Sequence, residues 1–184
     1  MPKCEQCGTR DVKIHFGSGD ETEKLCSSCY NDMIAENLGV ELEPLIESFT
    51  LKDYEGVSRS FRVDRKVDPL GLFLEAAENI EMGYKFAVHG ELSENQGDLL
   101  NRLIAKVRSG ISVKQIETKT FPNGQIYHSI IQDQASGRFE FDETADGVPL
   151  VIMDGRPFTW EEFGKMMRSY EGFQFEIKVL DMTD

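Results

Sequence analysis

Four cysteines are the residues of this 184-residue chain best placed to do chemistry. They fall as two C-x-x-C pairs, Cys4 with Cys7 and Cys26 with Cys29, with eighteen residues between the pairs. Thiolates at this spacing are the ligand set of a tetrahedral zinc site. A catalytic zinc keeps one position open and usually draws on a His or a carboxylate, whereas four thiolates close the tetrahedron. The pattern therefore predicts one structural Zn2+ per chain, held by Cys4, Cys7, Cys26 and Cys29. Another metal, a cluster or a redox pair are the competing uses of the same thiols. His15 is the one nearby side chain that could replace a ligand, and its place in mid-strand points instead to packing on a hairpin. Disulfides need an oxidising compartment, and the first residues carry no signal-peptide pattern, so the expected location is the cytoplasm.

A closed four-thiolate site requires the chain to double back. Gly8, directly after the first pair, lets the backbone fold over the metal. Residues 12–16 read as a strand, Gly17-Ser18-Gly19-Asp20 as a turn and residues 22–25 as the returning strand. Past Cys29 the period changes: Tyr30, Met33, Ile34 and Leu38 share a helical face, and Gly39 supplies the stop. A knuckle, a hairpin and cysteines in the first turn of a helix make a treble-clef or zinc-ribbon module over residues 1–40. The helix N-terminus adds a partial positive charge that favours thiolates.

Residues 41–48 are acidic, contain Pro44 and read as a linker with a short helical turn at Leu45-Ile46. Residues 49–184 read as a larger α+β domain with a mostly antiparallel sheet and about three helices. It begins with a hairpin around Glu55-Gly56. Asp68-Pro69 then matches an N-cap followed by Pro at the first helical position, with Leu70, Phe73, Leu74 and Ala77 as a buried stripe. A strand over 84–89 leads to a helix opened by the capping box Ser93-Glu94-Asn95-Gln96 and stopped at Gly110. Pro122-Asn123-Gly124 turns a hairpin, and short strands follow over 138–141 and 148–153, the latter reached through a turn at Asp146-Gly147. Thr159-Trp160-Glu161-Glu162 is a second capping box, and Trp160, Phe163, Met167 and Tyr170 form the stripe behind it. Phe173, Phe175, Ile177 and Val179 alternate with polar residues, which predicts a closing half-buried strand.

The opening residues, Cys4-Glu5-Gln6-Cys7-Gly8, His15-Phe16 and Leu25-Cys26-Ser27-Ser28-Cys29, resemble the N-terminal zinc ribbon of the bacterial activator of protein arginine kinase. The likeness covers about one sixth of the chain and implies zinc binding by the four cysteines. The coiled-coil-like remainder of that activator has no counterpart here. The stretch Asp154-Gly155-Arg156-Pro157-Phe158-Thr159-Trp160-Glu161-Glu162-Phe163-Gly164, with Tyr170-Glu171-Gly172-Phe173, is similar to an uncharacterised bacterial domain that accompanies such ribbons. That second likeness implies architecture and a bacterial cytoplasm, not an activity.

Composition bounds the remaining possibilities. No apolar run approaches the roughly 18 residues of a membrane span, so no membrane partner is expected. The net charge is −13. It divides into −6 over residues 1–48 (4 Lys/Arg, 10 Asp/Glu) and −7 over the rest (16 Lys/Arg, 23 Asp/Glu). Neither part has the basic footprint of a nucleic-acid binder. A local cluster, Arg59, Arg62, Arg65 and Lys66, is diluted by Asp53, Glu55 and Asp64 and reads as a solvated hairpin face. There is no phosphate-binding G-x-x-x-x-G-K-S/T loop and no G-x-S-x-G elbow. Arg156 could grip a carboxylate but is better read as pairing with Glu161, Glu171 or another local acid. Asp142, Glu143 and Asp146 make an acidic loop without the alternating ligand pattern of a calcium site. Two functions follow. One is a protein-binding adaptor or regulatory module built on structural zinc; the other is a small hydrolase-like enzyme with a His–carboxylate site on the sheet near His89 and His128.

Overall fold

A computed structural model describes residues 2–18, 21–144 and 147–184. It is an α+β fold of three α-helices and mostly antiparallel sheets. Strands β1 (Ile14–Ser18) and β2 (Glu21–Leu25) pair antiparallel and lead into helix α1 (Ser27–Leu38). Gly39 closes α1 in the left-handed region at φ 68°, donating to the carbonyls of Ala35 and Glu36, as a C′ glycine should. Of the turn expected over residues 17–20, Gly17 and Ser18 belong to β1, and residues 19 and 20 lie outside the described residues.

Four strands form the central sheet in the order β3 (Ser48–Lys52), β4 (Ser58–Asp68), β5 (Gly71–Glu78) and β6 (Lys85–Gly90). The helix expected from Asp68-Pro69 onward is instead strand β5. Its apolar residues fit either period, since Leu70, Phe73, Leu74 and Ala77 suit a helix while Leu72, Leu74 and Ala76 suit a strand. The turn decides between them. Asp68 Oδ1 accepts from the Leu70 amide, and Gly71 occupies φ 147°, so the chain reverses within two residues and pairs Asp68 with Gly71. Leu72, Leu74 and Ala76 then face the core beside Phe61, Val63 and Val67.

Helix α2 (Gln96–Ile111) covers that face with Leu99, Leu103, Val107 and Ile111. Its N-cap is Asn95, whose side chain accepts from the Asp98 amide, not Ser93. The helix also runs through Gly110. A Cβ there would stand 2.3 Å from Phe86 Cε1, so this glycine allows a close helix–sheet approach and is not a stop signal.

The remainder has its own buried cluster, built from Ile116, Val151, Met153, Phe158 and Met166. Hairpin β7 (Ile116–Thr120) and β8 (Ile126–Ile130) lies beside a three-stranded sheet ordered β11 (Arg156–Phe158), β10 (Leu150–Met153), β9 (Arg138–Glu140). Strand β11 was not expected. It exists because Asp154 and Gly155 both take positive φ, 51° and 66°, the two-residue hairpin turn that suits strand twist. Helix α3 (Trp160–Met167) starts at Thr159 with both halves of its capping box formed. It buries Met166, with Phe163 and Met167 packed against the same core, while Trp160 is half exposed. The strand expected over 173–179 is absent: these residues join no sheet and are exposed. Among the described residues no helix is long and apolar enough to cross a membrane.

Candidate metal centre

The first C-x-x-C pair sits on a tight knuckle. The Gly8 amide donates to the Cys4 carbonyl at 2.9 Å, with Gly8 at φ 69°. Cys4 N–H to the Arg10 carbonyl closes this knuckle, and Glu5 N–H to the Lys24 carbonyl ties it to the hairpin, both at 2.9 Å. The second pair opens α1. Cys26 is its N-cap, with φ −78° and ψ 162°, and the Cys26 sulfur accepts from the Cys29 amide at 3.5 Å. Thus one thiol does the work normally given to a Ser or Asp cap.

The four sulfurs lie within 4.8 Å of one another, close enough to hold one metal ion. Cys7 Sγ and Cys26 Sγ are 3.9 Å apart, far beyond a disulfide bond. Cys4, Cys26 and Cys29 are buried and Cys7 is exposed. Their protonation reflects this crowding. The Thr9 hydroxyl, followed by the amides of Arg10 and Thr9, brings the Cys7 thiol down to about 5. Burial, then the neighbouring sulfurs, push Cys29 well up. Sulfurs this close cannot all be thiolates unless a cation compensates them. His15 lies outside the cluster, exposed on β1 opposite Lys24.

The other candidates do not converge. His89, on β6, meets the Leu70 carbonyl at 3.0 Å and leans on Phe73. His128, on β8, meets the Thr118 hydroxyl at 3.0 Å and abuts Phe158. They stand on different sheets. Among the described residues no hydrogen bond or ring contact joins them. The basic cluster is consumed locally: Arg59 pairs with Asp53 (2.8 Å) and Glu78 (3.1 Å), Arg62 with Asp64 (2.8 Å) and Lys66 with Asp68 (3.2 Å). Arg65 donates to Gln96 and to the Glu43 carbonyl. Arg156 is exposed and makes no ion pair with Glu161 or Glu171 among the described residues. In the acidic loop, Asp142 turns inward onto the amide and hydroxyl of Thr144; Asp146 lies outside the described residues.

One residue with a decisive role gave no signal in the sequence. Asn31, on α1, is buried. Its amide nitrogen donates to the Arg65 carbonyl at 2.5 Å, and its oxygen accepts from the Val67 amide at 3.1 Å. Strand β3 reaches only as far as Arg62 along β4, so Asn31 satisfies the β4 backbone where no strand does. The segment 40–47 is fastened in the same way. Gln96 donates to the Glu41 carbonyl and accepts from the Glu43 amide, while Val40, Leu42 and Leu45 pack on the central core. There is no helical turn at Leu45-Ile46.

This is an α+β protein with a four-cysteine cluster near its N-terminus. Three family models match it in tandem, each described only as a domain of unknown function: DUF7685 over residues 3–41, DUF7686 over 43–112 and DUF7713 over 115–184. No curated protein and no solved structure matches the chain. None of these comparisons shows a link to the arginine kinase activator.

Proposed function

We propose that this chain is a zinc-binding adaptor or regulatory module, in which structural zinc fixes a small ribbon used to bind another protein in the cytoplasm. The observation that carries the reading is the set of four gathered sulfurs. Tetrahedral zinc with Zn–S bonds of about 2.3 Å requires sulfurs about 3.8 Å apart, and the Cys7–Cys26 separation is 3.9 Å. Knuckle, hairpin and helix in that order support the treble-clef assignment and the ribbon likeness of the opening motif. An acidic chain, −13 overall, favours a basic protein partner through its encounter rate and disfavours phosphate backbones.

Elemental analysis of purified full-length protein should give one zinc per chain. Cys26→Ser should abolish it, because a thiolate ligand is lost, while the serine hydroxyl can still cap α1. Acidification should release the metal, since protons compete for thiolates. Full zinc occupancy in Cys26→Ser would defeat the four-thiolate assignment. For the adaptor role, the full chain is used as bait in bacterial lysate with and without zinc. A defined protein lost on metal removal supports it. Recovery of nucleic acid alone, with binding that weakens steeply as salt rises, overturns it.

A further inference from the structure

Residues 173–180 are written as a strand and find no sheet. Phe173, Phe175, Ile177 and Val179 are 71%, 86%, 74% and 74% exposed, an alternating apolar face left in water. In the same part of the chain, the three-stranded sheet ends on β9, where Phe139 and Phe141 are also exposed. Phe139 is opposite Val151, which is opposite Phe158, so it continues the core face of that sheet outward. Trp160, half exposed, links Phe139 (6.2 Å between ring centroids) to Phe163 (5.7 Å) at the edge of the same core. A bare strand edge beside bare aromatics is a template for one more strand.

We infer that residues 173–180 of one copy of this chain add to β9 of a second copy, reciprocally, giving a strand-exchanged dimer. The side chains match in one parallel register. Ile177 stands beside Phe139 and Val179 beside Phe141, while Glu176 falls beside Arg138 and Lys178 beside Glu140, two residues that already pair with each other at 2.8 Å within their own strand. Both apolar and both charged positions agree, whereas a slip of one residue either way sets a tail charge against Phe139 and leaves Arg138 and Glu140 beside apolar residues. A second copy is favoured over the chain's own edge because the tail is tied elsewhere in its own molecule. Lys106, on α2, donates to the carbonyls of Met182 (2.8 Å) and Asp184 (2.5 Å), which fastens the end of the tail to the helix of the central unit. Exchange of identical elements between copies is a low-cost route to a dimer.

The test is the solution mass of the zinc-loaded full chain by light scattering over a range of concentrations. The expected mass rises to twice the 20.9 kDa of one chain. Ile177→Glu, at an exposed site that does not enter the fold of its own copy, should halve it. Leu70→Glu, on an exposed apolar residue of the β4–β5 turn and outside both strands, should leave the dimer intact. A third variant, Phe139→Pro, removes a backbone donor from β9 and should also give a monomer. Mixed with Ile177→Glu it should recover a dimer through one intact tail and one intact edge. A monomer at all concentrations overturns the proposal, including the case where hydrogen exchange finds 174–179 protected within that monomer. A dimer that survives Ile177→Glu overturns it as well, as does one that requires a different protein to form.

Discussion

Asp53 shows how a single buried carboxylate can organise a turn. Its side chain is fully buried and accepts from the amides of Glu55 and Val57 at 2.9 Å and from Arg59 Nε at 2.8 Å. Burial alone would raise its carboxyl, but Arg59 and the two amides outweigh that and hold it below the usual range. A carboxyl depressed in the folded state contributes stability above its unfolded value near 3.9, and that contribution is lost as pH falls through the folded value. Asp53→Asn should therefore cost roughly 3 kcal/mol at neutral pH, since it leaves Arg59 facing an amide in a buried pair. Urea unfolding at a series of pH values should show the gap between parent and variant closing below about pH 4. A gap that stays constant into acid would mean that the carboxylate charge is not what holds the turn. None of this was legible beforehand, because Asp53 and Arg59 read as members of a diluted surface cluster. Cysteine spacing, by contrast, is local and chemically narrow, and it pointed straight to the residues that the fold gathers.

Elements were legible where a local signal had one meaning. The Thr159 capping box, the Pro122-Asn123-Gly124 hairpin and the Gly39 stop each formed as their sequences imply. Asp68-Pro69 failed because the same dipeptide opens a helix or sits in a tight turn, and only Gly71 distinguishes the two. Gly71 also admits a neighbour: a Cβ there would lie 2.2 Å from the Gly90 carbonyl oxygen and 2.4 Å from His89 Nε2. Gly71→Ala should thus strain the β4–β5 turn at φ 147° and push β6 away. The expected loss is at least the 1–3 kcal/mol typical of a misplaced left-handed residue, read as a lower urea midpoint with an unchanged slope. An unaffected midpoint would show that the turn relaxes without moving β6. The segment 173–179 failed for a different reason. Alternation states which face of a strand wants cover, but it does not name the sheet or the copy that provides it.

At the scale of the whole molecule, the N-terminal cysteine module (the ribbon of the proposal) and the central sheet are mechanically joined. Helix α1 has two working faces: Tyr30 and Met33 pack on the cysteine cluster, while Ile34, Ala35 and Leu38 pack on the central core. Its first turn hangs from Cys26 and Cys29, and Asn31, one turn on, holds the β4 backbone. The helical period showed one apolar stripe, but it could not reveal that the stripe is split between two cores. Metal binding should therefore stabilise more than the ribbon, because a ligand bound only to the folded state lends its free energy to whatever folds with it. Chelating the metal should lower the melting temperature of the central sheet, followed through near-ultraviolet aromatic signals or hydrogen exchange at β4 and β5. Asn31→Leu leaves the cysteines intact and removes two buried hydrogen bonds, each lost partner costing about 1–3 kcal/mol. It should still bind metal yet melt lower, and chelation should affect its sheet less than it affects the parent's. A fragment starting at residue 41 should retain a mixed α+β circular dichroism spectrum, melt below the full chain and ignore the chelator altogether. If instead the parent's central sheet melts at the same temperature with and without metal, α1 does not transmit the site, and the ribbon is an independent appendage.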